Sequence, residues 1–122
     1  MPRELTIYEV RTCSTCRKLS ALLAERGVQY TGVEYHEVGI SQARLRELLA
    51  KADAAPRELL RTRDPLVGEL GILDDAGEQA VSDDELIALM SEHPTLLQRP
   101  IVERGDRALL ARPIERALEL LD

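Results

Sequence analysis

Apolar positions change period along the chain, and each change marks an element. From Glu4 to Val10 they alternate around Leu5, Ile7 and Tyr8, which predicts a first strand. From Cys13 to Arg26 they fall at helical spacing, with Leu19, Leu22 and Leu23 following Cys16, and Gly27 is placed to end that helix. Val28 to Tyr35 reads as a second strand. Strand, helix and strand within about 30 residues predict a right-handed crossover with parallel strands. The middle of the chain is helical. Ser41 caps a helix carrying Leu45, Leu48 and Leu49, and Pro56 opens a short piece from Arg57 to Arg61. Asp64-Pro65 reads as a break, and Asp74 to Gly77 as a turn. Ser82 and Glu85 form a capping box for a helix with Leu86, Ile87, Leu89 and Met90, which His93-Pro94 ends. Arg99 to Val102 predicts a short strand entered through Pro100. Gly105-Asp106 turns it into a hairpin with Leu109 and Leu110. Arg112-Pro113 opens a last helix that runs through Leu121. The expected class is α/β: a mixed four-stranded sheet flanked by helices, one domain over residues 1–122, with a helical insert over about 41–93. No repeat, linker or low-complexity segment interrupts it.

Composition narrows this picture. The chain has 122 residues, long enough to bury a core without covalent staples. It contains neither Phe nor Trp, so Leu, Ile, Val and Ala must build that core. A net charge of −6 argues against direct nucleic-acid binding, which needs a basic face. No apolar run could span a membrane or serve as a signal peptide, so the expected location is the cytoplasm. In that compartment a close pair of cysteines is seldom a structural disulfide.

The only two cysteines are Cys13 and Cys16, in Thr12-Cys13-Ser14-Thr15-Cys16-Arg17. The motif lies between the first strand and the first helix. A thiol there faces unpaired backbone N–H groups and the positive end of a helix, both of which favour a thiolate. Arg17 and Lys18 add positive field. Cys13 is therefore the expected nucleophile. Cys16, one helical turn on, is within reach to close a disulfide. A zinc site would need four ligands, and His36 and His93 are far apart in sequence, so no metal is expected.

Three arginines stand at backbone punctuation points: Arg61 after Leu59-Leu60, Arg99 before Pro100 and Arg112 before Pro113. Gathered at a helix start, planar guanidinium groups would bind an oxyanion. These residues also carry a resemblance. The Cys13 turn, Arg57-Glu58-Leu59-Leu60-Arg61, Gly68-Glu69-Leu70-Gly71, Glu92-His93-Pro94, Arg99-Pro100-Ile101-Val102 and Leu110-Ala111-Arg112-Pro113 together resemble the arsenate reductase (ArsC) family, which also contains the Spx-type regulators. The match runs nearly end to end. It implies a thioredoxin-like (glutaredoxin-like) fold, in keeping with the element order. It also implies a Cys13 nucleophile, an oxyanion held by Arg61, Arg99 and Arg112 with Arg17, Ser14 and Thr15 of the loop, and a structural cis-proline at Pro100.

The resemblance implies an arsenate reductase that forms a Cys13 thiol–arsenate adduct and binds no cofactor. Many glutaredoxin-linked members have serine where Cys16 stands. An internal thiol leaves the reductant open among glutathione with glutaredoxin, thioredoxin and related dithiols. Two other readings of the same residues are an Spx-type redox regulator of RNA polymerase and a general thiol–disulfide oxidoreductase. Spx-type relatives generally lack the equivalent of Arg112-Pro113, which favours the enzyme. A monomer is expected, because no large apolar face is evident.

Overall fold

The computed structural model describes residues 4–121 and divides them into two compact units. The first comprises the residues up to Val38 together with those from Arg99 onward; the second is Gly39–Gln98.

The first unit is a four-stranded mixed sheet with helices. Strands β1 (Leu5–Tyr8), β2 (Thr31–Val33), β3 (Ile101–Arg104) and β4 (Arg107–Leu110) lie in the order β2-β1-β3-β4. β1 runs parallel to β2 and antiparallel to β3, and β3 pairs antiparallel with β4. The β1–β3 register places Ile7 opposite Val102, and the β3–β4 register places Val102 opposite Leu109. These residues share one face. Helix α1 (Ser14–Glu25) lays Leu19 and Leu23 on it, and the C-terminal 3₁₀ segment Ile114–Leu120 adds Ala117 and Leu120. Each Leu or Ile removed from water here contributes roughly 1.5–3 kcal/mol before chain entropy is counted.

Several predicted boundaries shift, each for a local reason. β2 is much shorter than Val28 to Tyr35. The Val28 N–H turns back to the Leu23 carbonyl (2.9 Å) behind Gly27, whose φ is 68°, closing α1 with a Schellman-type end. At its other end Tyr35 already belongs to a short helix, α2 (Tyr35–Val38). The strand expected from Arg99 begins at Ile101, after Pro100, which has no N–H to give the ladder. The terminal helix is 3₁₀ and starts after Pro113, which is extended. Both Arg99–Pro100 and Arg112–Pro113 are cis; the second of these was not expected.

The second unit packs α3 (Gln42–Ala52) against α5 (Asp83–Glu92) through Leu45, Leu48, Leu86 and Met90, all without solvent exposure. The Ser41 side chain accepts from the Arg44 N–H and the Ser82 side chain from the Glu85 N–H, so both predicted caps are present. Asp64-Pro65 is not a break. Asp64 caps a short helix, α4 (Pro65–Glu69), by accepting from the Leu66 N–H (2.9 Å), and Pro65 sits at its first position. The piece opened by Pro56 is 3₁₀ and ends at Leu59, because Leu60 is extended and bridges Leu97.

Candidate active site

Cys13 stands at the N-cap of α1, with φ −76° and ψ 123°. Its N–H donates to the Val10 carbonyl (2.9 Å), and its own carbonyl accepts the first helical bond, from Arg17 (3.1 Å). The strand-to-helix junction therefore holds the residue at both backbone groups. The side chain is left facing the orphan donors of the first turn.

Those donors determine the thiol's chemistry. Partial burial alone would raise the Cys13 pKa. It is outweighed by the nearby Cys16 and Thr15 N–H groups at the helix start, the Cys16 thiol and the Arg99 guanidinium, and the pKa falls to about 7. Cys16 shows the opposite shift. It is 2% exposed, and burial together with the charge on Cys13 pushes its thiol up to about 12. Near neutral pH Cys13 is about half ionised, beside a protonated Cys16 that donates to it.

Arg99 comes from the turn before β3 and is brought to Cys13 by the antiparallel β1–β3 pairing. Its backbone carbonyl accepts from Arg112 Nε (2.7 Å), so a second predicted arginine braces the first. Burial alone would lower the Arg99 pKa. The Tyr35 and Cys13 side chains, both hydrogen-bonded to the guanidinium, raise it instead. Ser14 and Thr15 are the first helical residues, and Arg17, after the buried Cys16, is exposed. Pro100, buried, follows Arg99 through the cis bond the resemblance implied.

Arg61 belongs to the second unit. Its N–H donates to the Leu96 carbonyl (2.7 Å), and its side chain reaches Asp64 Oδ2 (3.2 Å). Asp64 is 7% exposed and uses its other oxygen as the α4 cap. Two residues here went unassigned in the sequence. Asp64 looked like a chain breaker, and Tyr35 looked like the end of the second strand. A tyrosine in a core has a hydroxyl to satisfy, and that is the signal that could have marked it.

Cys16 and Arg17 also line a cleft of about 770 Å³ with Glu9, Arg11, Tyr30 and Glu34. Burial raises the pKa of Glu9 there, offset in part by the Tyr30 hydroxyl (3.3 Å). At its edge Glu34, His36 and Glu37 place potential ligand atoms within 4.8 Å of one another, but Arg11 already pairs with Glu34 (3.2 Å). Among the described residues no helix is long and apolar enough to cross a membrane.

Comparison with known proteins gives a consistent result. A family model described as the ArsC family matches residues 8–120. An arsenate reductase of Rhizobium meliloti (strain 1021) is 35% identical over 117 residues, which cover 96% of this chain and 81% of that one. The uncharacterised protein YfgD of Escherichia coli (strain K12) is 35% identical over 99% of both chains. The solved structure of an arsenate reductase from Vibrio cholerae superposes with a TM-score of 0.88 at 34% identity. It covers 99% of this chain and all of that one.

Proposed function

The chain belongs to the ArsC family, and on that premise we propose that it is an arsenate reductase working through Cys13. The observation that carries the reading is the Cys13 sulfur itself. It sits at a helix start, with a pKa of about 7, and Arg99 is hydrogen-bonded to it.

The proposed reaction begins with arsenate, a tetrahedral anion, held by the guanidinium groups of Arg99 and Arg112 and by the loop at Ser14, Thr15 and Arg17. Arg61 of the second unit is proposed as the third guanidinium, by resemblance. Preorganised cations and N–H groups suit an oxyanion because they need no rearrangement as charge moves. The Cys13 thiolate attacks arsenic. An arsenic–oxygen bond breaks, and that oxygen takes up protons and leaves as water, giving a sulfur–arsenic adduct. A second thiolate then attacks the Cys13 sulfur. The sulfur–arsenic bond breaks with its electron pair on arsenic, which departs as arsenite, and a disulfide remains. The two electrons gained by arsenic are those lost by the two sulfurs.

The second thiol is either Cys16 or glutathione. Cys16 is adjacent, but its raised pKa keeps it protonated while Cys13 carries charge. Burial, the largest cause of that shift, remains when the Cys13 sulfur is bonded to arsenic. The adjacency of the two sulfurs, one helical turn apart, is what favours an internal Cys13–Cys16 disulfide, reset by glutaredoxin with glutathione or by thioredoxin. The reading places a monomeric enzyme in the reducing cytoplasm.

A coupled assay that supplies arsenate with glutaredoxin and glutathione, or with thioredoxin, tests it. NADPH consumption that depends on arsenate supports the assignment. Consumption with a disulfide substrate and none with arsenate would replace it by a general thiol–disulfide oxidoreductase. Mass spectrometry after one turnover separates an internal disulfide from a glutathione adduct on Cys13.

A further inference from the structure

Tyr35 is a tyrosine without solvent exposure in a chain that has no Phe or Trp, and it is the bulkiest of the fully buried side chains. Packing alone does not call for its hydroxyl. A buried hydroxyl needs partners, and here its oxygen accepts from the guanidinium of Arg99.

Arg99 is unusual in how its nitrogens are used. Nε is buried and has no hydrogen-bond partner among the described residues. The bonds to Cys13 and Tyr35 therefore come from the terminal nitrogens, at the end of the side chain. The backbone end is fixed separately, by Arg112 Nε on the Arg99 carbonyl (2.7 Å). The Tyr35 ring is itself set edge-on to His36, with centroids 6.3 Å apart. A long, flexible arm of three methylenes is thus held at its root by one residue and at its tip by another.

We propose that Tyr35 is a positioning residue for the nucleophile: its hydroxyl accepts from the Arg99 guanidinium and keeps that guanidinium on the Cys13 sulfur. The placement comes from the chain itself. Tyr35 opens α2 directly after β2, Arg99 precedes β3, and Cys13 follows β1, so three sheet ends meet at one sulfur. Rotamer freedom is what such a clamp removes. A long side chain that is already fixed gives more field at the thiolate than one that must be ordered first. The titratable and charged groups acting directly on the Cys13 sulfur are Cys16 on α1 and Arg99 before β3, and Tyr35 at the start of α2 acts on it through Arg99. The inference rests on Cys13 being the nucleophile and not on arsenate being the substrate.

The test is the pH dependence of Cys13 alkylation by iodoacetamide, with the modified peptide located by mass spectrometry so that Cys16 does not contribute. Tyr35→Phe keeps the ring and deletes the hydroxyl. At pH 6.5 its Cys13 should alkylate about threefold more slowly than the parent, the effect of about half a unit in the midpoint. At pH 10, where Cys13 is ionised in the parent and the variant alike, the rates should agree. In an Arg99→Met background the same Tyr35→Phe change should have no effect at either pH. Identical profiles for the parent and Tyr35→Phe would overturn the proposal, as would an equal slowing in the Arg99→Met background. If Tyr35→Phe is poorly folded, the comparison is repeated in trimethylamine oxide, which restores compact states without supplying a hydroxyl. A merely structural role would then leave the profile at the parental midpoint. Because no arsenate is present, failure here is distinct from failure of the reductase assignment.

Discussion

The two units solve different problems. In the first, Cys13, Tyr35, Arg99 and Arg112 come from remote stretches of chain, and strand pairing alone brings them together. In the second, α3 and α5 pack through a shared apolar core, but many of the polar contacts that start helices and close turns are local. Ser41 and Ser82 cap their own helices, Asp74 closes its own turn, Glu47 pairs with Arg44 and Lys51, and Asp64 holds Arg61 three residues back. Chemistry built on register is sensitive to single groups. A scaffold built on local devices loses stability in small steps.

The largest expected effect is at Cys13. Cys13→Ser should lower arsenate turnover by at least about a thousandfold, since the hydroxyl is not ionised near neutral pH. The thermal midpoint should change little, because the residue is half-buried and its backbone bonds persist. The same sulfur sets the pH dependence. With its pKa lowered to about 7, the thiolate is present above that pH and lost below it. Turnover at limiting arsenate should rise about tenfold per unit below pH 7 and level off above. The linkage to stability has the same sign: the folded-state preference for thiolate is present in full above about 8.5, the ordinary value, and disappears as pH falls through 7. Arg99→Met should move the kinetic midpoint upward. An unmoved midpoint would mean that the helix start alone ionises Cys13, and the register argument for the first unit would fail.

The core of the first unit gives the next effect in size. Leu19→Ala removes a fully buried side chain that packs on Ile7 and Val102, and should cost about 2–5 kcal/mol, read by urea unfolding. A cost below about 1 kcal/mol would show that α1 does not depend on the sheet to stay in place.

Much of this was legible in the chain. The cysteine turn, the hairpin, both serine caps and the parallel β1–β2 pair follow from patterning, because each is decided by neighbours in sequence. What escaped was decided elsewhere. Val28 had a strand residue's composition but was taken by the closure of α1. Asp64-Pro65 carried both a breaking and a starting signal, and only the free Leu66 N–H decided between them. Tyr35 was placed at the end of the second strand, a reading that is silent on its burial and its hydroxyl. Arg61, Arg99 and Arg112 were singled out together, yet no periodicity reports that Arg112 spends its Nε on the Arg99 backbone.

Arg61 sharpens the comparison most directly, because it is the one proposed site residue on the locally built unit. Arg61→Ala should raise the KM for arsenate about tenfold and leave the pH profile of Cys13 alkylation where it is. Asp64→Asn is the finer probe. Asparagine caps a helix as well as aspartate does, so α4 should survive with stability within about 1 kcal/mol. The charge that holds the Arg61 guanidinium is gone, however, and KM should shift by about two- to threefold. If Asp64→Asn matched the full effect of Arg61→Ala, the ion pair would be the working unit, not the arginine alone.

Ser82→Ala should have the smallest effect. It removes the oxygen that accepts from the Glu85 N–H at the start of α5 (3.1 Å) and leaves α5 packed on α3 through Leu86 and Met90. Loss of an N-cap costs about 1 kcal/mol, which lowers the thermal midpoint of a domain this size by about 3–6 °C. Turnover at 25 °C should be unchanged, because the folded fraction remains near one. A drop in kcat out of proportion to that loss would mean that the start of α5 communicates with the thiol. The separation between a register-built site and a locally built scaffold would then no longer hold.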